Sequence, residues 1–260
     1  MKPPFPIKRA PNGRAMLNLG CGSHTHPAWN NLDFSYYARL ARHPSTARVL
    51  HSVGILSSVR YERLLAIDPD IVAWDLRRGI PYADDSFDTV YHSHVLEHLA
   101  RPHAQRLLRE CRRVLKPHGI LRVVVPDFET QVREYLATLP PGRNASSELL
   151  DAHERAVERV LEQLVREESV GASSQPFVVR HLDRLIRGDA RQVGEVHRWM
   201  YDVYTLEAAL RAVGFDDFSD LNPTLSAIEG WEQFGLDLNS DGSPYHKRSL
   251  FVEARKPLVG

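Results

Sequence analysis

The sequence predicts an α/β fold, a doubly wound parallel sheet, and three features carry that prediction. Short apolar runs alternate with helical segments over residues 15–127, the pattern of strands joined by crossovers. One run, LNLGCG at 17–22, stops at Gly-x-Gly, where a buried strand turns over something that needs bare backbone close by. Another, ILRVVVPD at 120–127, is almost continuously apolar, as a strand buried on both faces must be.

Strand one spans residues 15–19 and strand two 31–34. The passage between them, with SHTHPAWN at its centre, leaves room for about one turn, so the first crossover helix is short or missing. Residues 36–66 read as mainly helical with breaks near Pro44 and Gly54. IVAWDL at 71–76 is a short strand ending in an acid. FDTVYHS at 87–93 is the fourth, and HVLEHL after it opens a helical turn. The next helix puts Leu107, Leu108, Cys111, Val114 and Leu115 on one face and ends at Lys116-Pro117-His118-Gly119, before strand five at 120–127. Near the C-terminus, 205–215 is an amphipathic helix with Thr205 as N-cap and Gly214 as its stop, and strands at 218–221 and 249–254 finish the sheet.

Residues 1–14 form a proline-rich N-terminal leader lying along the surface, and 15–260 form a single domain. About residues 128–191 the pattern changes to Arg- and Glu-rich helices broken at PPGRNASS and GASSQP, a helical insertion after strand five. Ligands of open α/β sheets sit beyond the carboxyl ends of the strands, so an insertion leaving from Asp127 hangs over the pocket mouth. It is either a solvated cover for the sheet edge or a substrate lid.

Lys plus Arg and Asp plus Glu both total 33, a formal net charge of zero that argues against a nucleic-acid partner. The two cysteines, Cys21 and Cys111, make neither a disulfide framework nor a metal spacing, which fits packing roles in a cytoplasmic protein. No run of about 18 apolar residues predicts membrane insertion, and the N-terminus lacks the apolar core of a signal peptide.

The Gly-x-Gly turn is followed by Asp33 at the tip of the next strand, where an acid can grip a ribose, and Asp75 repeats that logic after the third. This pairing suggests a nucleoside cofactor. LNLGCG with WNNLD, DLRRGIPYADDSFDTVYHSHVLEHL, RECRRVLKPHGILRVVVPD, HRWMYD and PYHKRSLFVEARKP, in this order, resemble class I S-adenosylmethionine-dependent methyltransferases. The likeness is close to a small bacterial group often associated with sugar, polysaccharide or natural-product assembly.

The resemblance implies a Rossmann-like, seven-stranded, mostly parallel sheet with its last strand antiparallel, and S-adenosylmethionine as cofactor. It implies that Asn18, Gly20, Cys21 and Gly22 form the loop under the methionine part and that Asp33 accepts bonds from the ribose hydroxyls. Asp75 and Leu76 would flank the adenine, with Asp75 taking its exocyclic amine, and Ser93 and His94 would border the methyl donor. The chain departs from the wider class in its abbreviated passage to Asp33, and in Asn18, which stands where many members carry an acid.

Transfer from a sulfonium is an in-line displacement, so holding the nucleophile in a dry pocket supplies most of the catalysis. The implied acceptor is a hydroxyl, or else an amine, of a small molecule, saccharide or natural product, with a peptide also compatible. His94 is a candidate base or a residue that holds its loop. Asp127 is a base or a helix cap, and His197, a further catalytic candidate, lies with Arg198 between the insertion and the next helix. Trp199, Met200 and Tyr201 line an acceptor pocket or belong to the core, and Glu97-His98 reads as fixing the following helix start.

No metal is expected. Asp237, Asn239 and Asp241 echo a calcium loop without its bidentate Glu and read as a surface turn, and His92, His94 and His98 straddle a strand and a helix. Two other functions compete: an NAD(P)-dependent oxidoreductase, disfavoured by the missing third glycine, and a non-catalytic S-adenosylmethionine-binding partner.

Overall fold

Seven strands form one sheet in the order β3-β2-β1-β4-β5-β7-β6. The structure is a computed structural model and describes residues 5–65, 67–68, 70–140, 146–164 and 197–258. In chain order the strands are β1 (Met16–Leu19), β2 (Asn30–Asp33), β3 (Val72–Ala73), β4 (Phe87–Ser93), β5 (Leu115–Pro126), β6 (Asp216–Leu221) and β7 (Ser249–Arg255). β1 to β5 run parallel, and β7 is antiparallel to both β5 and β6. The expected sheet, with its last strand reversed, is the one observed.

No helix joins β1 to β2: residues 20–29 make only tight turns, closed by His24 N to Cys21 O and Trp29 N to His26 O. The next crossover holds α1 (Tyr36–Ala41), α2 (Pro44–Ser52) and α3 (Ser58–Leu65), broken where Pro44 and Gly54 predict. After β4 comes α4 (Arg101–Val114). It turns directly into β5 at Leu115, four residues before the expected stop at Gly119, because Leu115 already pairs with Phe87 and Lys116 reaches Asp88 at 2.7 Å.

The third strand is shorter than its apolar run. Asp75 accepts from the Arg77 backbone N–H and caps a 3-10 turn at Leu76–Arg78, ending the extended chain at Ala73. α5 (Phe128–Ala137) and α6 (Ser147–Leu164) follow β5. The expected insertion continues to 191, and its residues from 165 onward lie outside those described.

α7 (Val203–Arg211) begins earlier than predicted. Asp202 is the N-cap, and Thr205 sits at the third helical position of a reciprocal capping box: Asp202 Oδ1 accepts from Thr205 N at 2.8 Å and Thr205 Oγ1 accepts from Asp202 N at 3.1 Å. α8 (Trp231–Phe234) lies in the long link between β6 and β7.

Alternation along the strands divides the core into two faces. Leu17, Leu19, Val90, Leu121 and Val123 pack with Leu108 and Cys111 of α4 and Leu206 and Leu210 of α7. Their neighbours Met16, Tyr91 and Val124 pack with Trp29, Ile228, Trp231 and Leu236. The second face near β1 therefore lies under the β6–β7 link, which covers apolar surface where the β1–β2 crossover supplies no helix.

The N-terminal leader is stitched down more firmly than a surface strap. Asn30 accepts from Lys8 N at 2.8 Å and donates to Lys8 O at 2.9 Å, while Phe5 packs edge-on against Trp74 at 6.0 Å. Among the described residues, no helix is long and apolar enough to cross a membrane.

Candidate functional site

Two cavities meet beyond the carboxyl ends of the parallel strands. The first, about 340 Å³, is bordered by Gly20, Asp33, Asp75, Leu76, His94, Val95, His98, Leu99 and Arg198 among others. The second, about 440 Å³, is bordered by His94, His98, His197, Gln131 and Glu134 of α5, Arg159 and Val160 of α6, and His246, Lys247 and Arg248 before β7. His94 and His98 belong to both walls.

Gly20 sits at φ +63°, and a Cβ there would lie 2.4 Å from Val95 Cγ2. A side chain there would press on Val95 in a backbone conformation that L residues rarely adopt, so the backbone itself forms the cavity floor. Its N–H and that of Cys21 both donate to Leu32 O. Asp33 then fastens the loop: Oδ2 accepts from Gly22 N at 2.9 Å and Oδ1 from Ser35 N at 2.5 Å. Gly22 thus takes part through Asp33, without lining the cavity.

Asn18, Cys21 and Ser93 stand outside the cavity wall. Asn18 is buried and donates to His24 O at 2.9 Å and Asn31 Oδ1 at 3.2 Å, pinning the short crossover. Cys21 packs with Ala38 and Ile71, and burial pushes its thiol well above the ordinary cysteine range. It packs as a filler in the loop. Ser93 ends β4, half-buried, and hands over to His94.

Asp75 borders the first cavity, but its carboxylate is clasped by Arg77 through Nε at 2.9 Å and Nη2 at 2.9 Å. Partial burial opposes its charge, and these bonds outweigh burial and hold the carboxyl below its ordinary value.

His94 has φ +53°, an uncommon conformation for a residue with a Cβ, anchored by its N–H to Val124 O at 2.9 Å. Nδ1 lies 3.1 Å from Glu97 Oε1, Nε2 lies 2.9 Å from Ser249 Oγ, and the ring stacks on His246 at 3.7 Å. Glu97 has no solvent exposure. Burial disfavours its charge, but the imidazoles of His94 and His98 prevail and hold the carboxyl below its usual range. His246 is pushed the other way, down to about 4, chiefly by burial and then by His94 beside it.

The Glu97 carbonyl accepts from Arg198 N at 2.7 Å and Trp199 N at 3.2 Å. These bonds bring the 197–199 segment onto the turn after β4, and His197 lies 4.7 Å from His98, ring to ring. Of the aromatic trio that follows, Tyr201 is core and Trp199 is 37% exposed under Arg101. None of Trp199, Met200 and Tyr201 lines either cavity.

Asp127 is the N-cap of α5, accepting from Glu129 N at 3.0 Å and from the Thr130 hydroxyl. It borders neither cavity, so the geometry realises the capping alternative. His92 is fully buried in β4. In the calcium-like stretch, residues 239–242 are an exposed turn but Asp237 is not, because its carboxylate meets Arg122 at 2.8 Å in the core.

Gln131, Glu134, Arg159, His246, Lys247 and Arg248 had no individual role in the sequence. Glu134 pairs with Arg248 at 2.6 Å and lies 3.8 Å from Arg159, tying α5, α6 and the start of β7 around the second cavity. Basic HKR directly before a core strand was the available signal.

Residues 17–123 match the family model described as a methyltransferase domain. Methyltransferase GfsG of Streptomyces halstedii is 29% identical over 181 residues, covering 63% of this chain and 58% of its own length, so the chain spans less than two thirds of that relative. An S-adenosylmethionine-dependent methyltransferase from Thermotoga maritima is 14% identical over 97% of this chain and 84% of its own, with a TM-score of 0.38. Another, from Archaeoglobus fulgidus, is 14% identical over 96% of this chain and 86% of its own, with a TM-score of 0.37. At those scores the fold rests on the observed strand order alone.

Proposed function

We propose that this chain, whose residues 17–123 match a methyltransferase-domain family model, is a class I S-adenosylmethionine-dependent methyltransferase and transfers a methyl group to a hydroxyl of a polar small molecule, such as a saccharide or natural-product scaffold. An amine is the second acceptor type. The single observation that carries this reading is the shared wall: His94 and His98 border both cavities. A donor in the first and an acceptor in the second would meet beside the His94 ring.

S-adenosylmethionine, when bound, supplies a methyl carbon on a positively charged sulfur. The first cavity suits it. Gly20 leaves the close approach that a Cβ would fill. Asp33 has about four lone-pair positions and gives two of them to Gly22 and Ser35, which leaves capacity for two ribose hydroxyls. Leu76 and Leu99 offer apolar surface to an adenine, and Asp75 would meet its edge from within the Arg77 clasp.

His94 is the base in this reading. An ionised Glu97 facing Nδ1 draws the ring proton to that side and leaves Nε2 as an acceptor. Ser249 Oγ occupies the Nε2 position, and an acceptor hydroxyl bound there would pass its proton to the same nitrogen. The second cavity is walled largely by hydrogen-bonding side chains, which favours a polyhydroxylated acceptor over an apolar one. α5 and α6 act as the lid over it.

An oxidoreductase on a dinucleotide-binding sheet would show the order 3-2-1-4-5-6. The antiparallel β7 between β5 and β6 opposes that alternative. The test is calorimetric titration with S-adenosylhomocysteine and with NAD, followed by methyl-labelled donor and panels of saccharides, phenols and peptides. Binding of S-adenosylhomocysteine and labelling of a hydroxylated compound are expected. NAD binding in its place sinks the proposal, and donor binding with no compound ever labelled leaves a non-catalytic partner.

A further inference from the structure

We infer that Glu97, His98 and His197 form a binding site for a divalent transition-metal ion at the partition between the two cavities. One carboxylate oxygen of Glu97 and one imidazole nitrogen from each histidine lie within 4.8 Å of one another. Nitrogen and oxygen ligands sit about 2.0 to 2.2 Å from such an ion, so ligands around it stand roughly 3 to 3.5 Å apart. A bound ion would draw these atoms closer together.

The burial of Glu97 points to a cation independently of that spacing. Its carboxylate has no solvent exposure, Oε2 has no hydrogen-bond partner among the described residues, and Oε1 meets His94 Nδ1 at ion-pair distance. Its neighbours are imidazole nitrogens, His94 Nδ1 at 3.1 Å and His98 Nε2 at 3.9 Å from Oε1. An ionised carboxylate removed from water costs several kcal/mol unless a positive charge lies against it. A bound divalent ion supplies that charge.

The site is also built by the backbone. Arg198 N and Trp199 N both donate to Glu97 O, so the turn after β4 and the segment near 197 are fastened at the ligands. Two imidazoles and one carboxylate suit zinc, manganese, cobalt or iron(II) better than calcium or magnesium, and such a set leaves coordination positions open. His197 borders the second cavity and His98 both, so those positions face the acceptor side.

The role of the ion rests on the methyl-transfer reading, although its binding does not. An acceptor hydroxyl coordinated to the ion has a lowered pKa. Its proton passes to the His94 imidazole, its oxygen lone pair forms the new C–O bond, and the pair of the breaking S–CH₃ bond returns to sulfur. Nothing is oxidised or reduced. His92, His94 and His98, close together in sequence, do not form the ligand set. The structure leaves His92 in the core and brings Glu97 and His197 to His98 instead.

The experiment uses the full chain, stripped with a chelator and titrated with Mn²⁺, Zn²⁺ and Co²⁺ with and without S-adenosylhomocysteine. Saturable binding of about one ion per chain is expected, with a rise in unfolding temperature and a visible Co²⁺ spectrum shifted by imidazole ligation. His197→Ala should weaken binding by about a hundredfold or more, since lost outer-shell partners alone cost 10- to 100-fold. Its melting temperature in chelator, matched to the parent protein, shows that it is folded; Glu97→Gln is the second variant. Absence of saturable binding, or equal binding by His197→Ala, overturns the site. Full methylation by chelated protein overturns its role. Metal binding without S-adenosylhomocysteine binding would instead defeat the methyl-transfer reading and leave the metal site standing.

Discussion

Arg122 Nη2 lies 2.8 Å from Asp237 Oδ2, joining the middle of β5 to the link between β6 and β7. Both side chains are out of solvent, and the same guanidinium pairs with Glu253 at 2.8 Å, donates to Leu225 O and Asn222 O, and lies 4.4 Å over the Trp231 ring. Tyr91 completes the group by donating to Asp237 Oδ1 at 2.6 Å. This cluster holds the link against the sheet face that has no crossover helix, and the same link leads to His246, Lys247 and Arg248 on the wall of the second cavity.

Arg122→Met leaves two carboxylates buried without their cation. A loss of about 3 to 5 kcal/mol is expected in urea unfolding. Asp237→Asn keeps the shape and one acceptor and should cost less. A loss under about 1 kcal/mol for Arg122→Met would mean that the link is held by apolar packing instead.

Gly20→Ala forces a methyl group to within 2.4 Å of Val95 Cγ2 at a positive φ. The backbone strain is worth about 1 to 3 kcal/mol, and the displaced loop should weaken S-adenosylhomocysteine binding by about tenfold or more in calorimetry. Adding Val95→Ala relieves the contact and should restore part of the affinity. Unchanged binding by the single variant would remove Gly20 from the cofactor floor.

Asp33→Asn exchanges a carboxylate that accepts from Gly22 N and Ser35 N for a neutral amide. Bonds to charged groups contribute about 1.5 to 3 kcal/mol, so S-adenosylhomocysteine affinity should fall by roughly 10- to 100-fold. With saturating donor, turnover should stay near that of the parent protein. A large fall in saturated turnover with normal affinity would contradict a ribose contact.

His94→Asn tests the base while respecting the backbone, because asparagine tolerates positive φ. Turnover should drop by about 10² to 10⁴, with S-adenosylhomocysteine affinity within about threefold of the parent. Retained turnover would eliminate His94 as the base and leave it holding the turn.

His92 gives the fold a defined acid sensitivity. Burial lowers its pKa to about 4, with the Glu97 charge opposing, and among the described residues neither ring nitrogen has a hydrogen-bond partner. Between the unfolded value near 6.5 and about 4, the unfolded chain binds a proton that the native chain does not, so stability falls as pH falls through that window. The loss should reach about 3 kcal/mol. In His92→Phe, unfolding free energies measured from pH 7 to 4 should lack this slope.

Much of the architecture was legible locally. LNLGCG gives a strand end and a positive-φ glycine, WNNLD the acid that ties it, and the short passage between them the absence of a crossover helix. Boundaries were missed where a side chain intervened: Asp75 ended β3 early, and Asp202 took the cap assigned to Thr205.

The chain by itself determined the strand sequence, the glycine floor and the acids at the strand tips, because those depend on short-range periodicity and on backbone conformations that few residues adopt. Only the tertiary structure decided that Asp127 caps a helix, that Asp237 pairs with Arg122 in the core, and that His197 lies beside Glu97 and His98. Each of these depends on a partner supplied by packing. Asp237 and Arg122 are 115 positions apart, and sheet register and loop closure, which no local pattern encodes, bring such partners together.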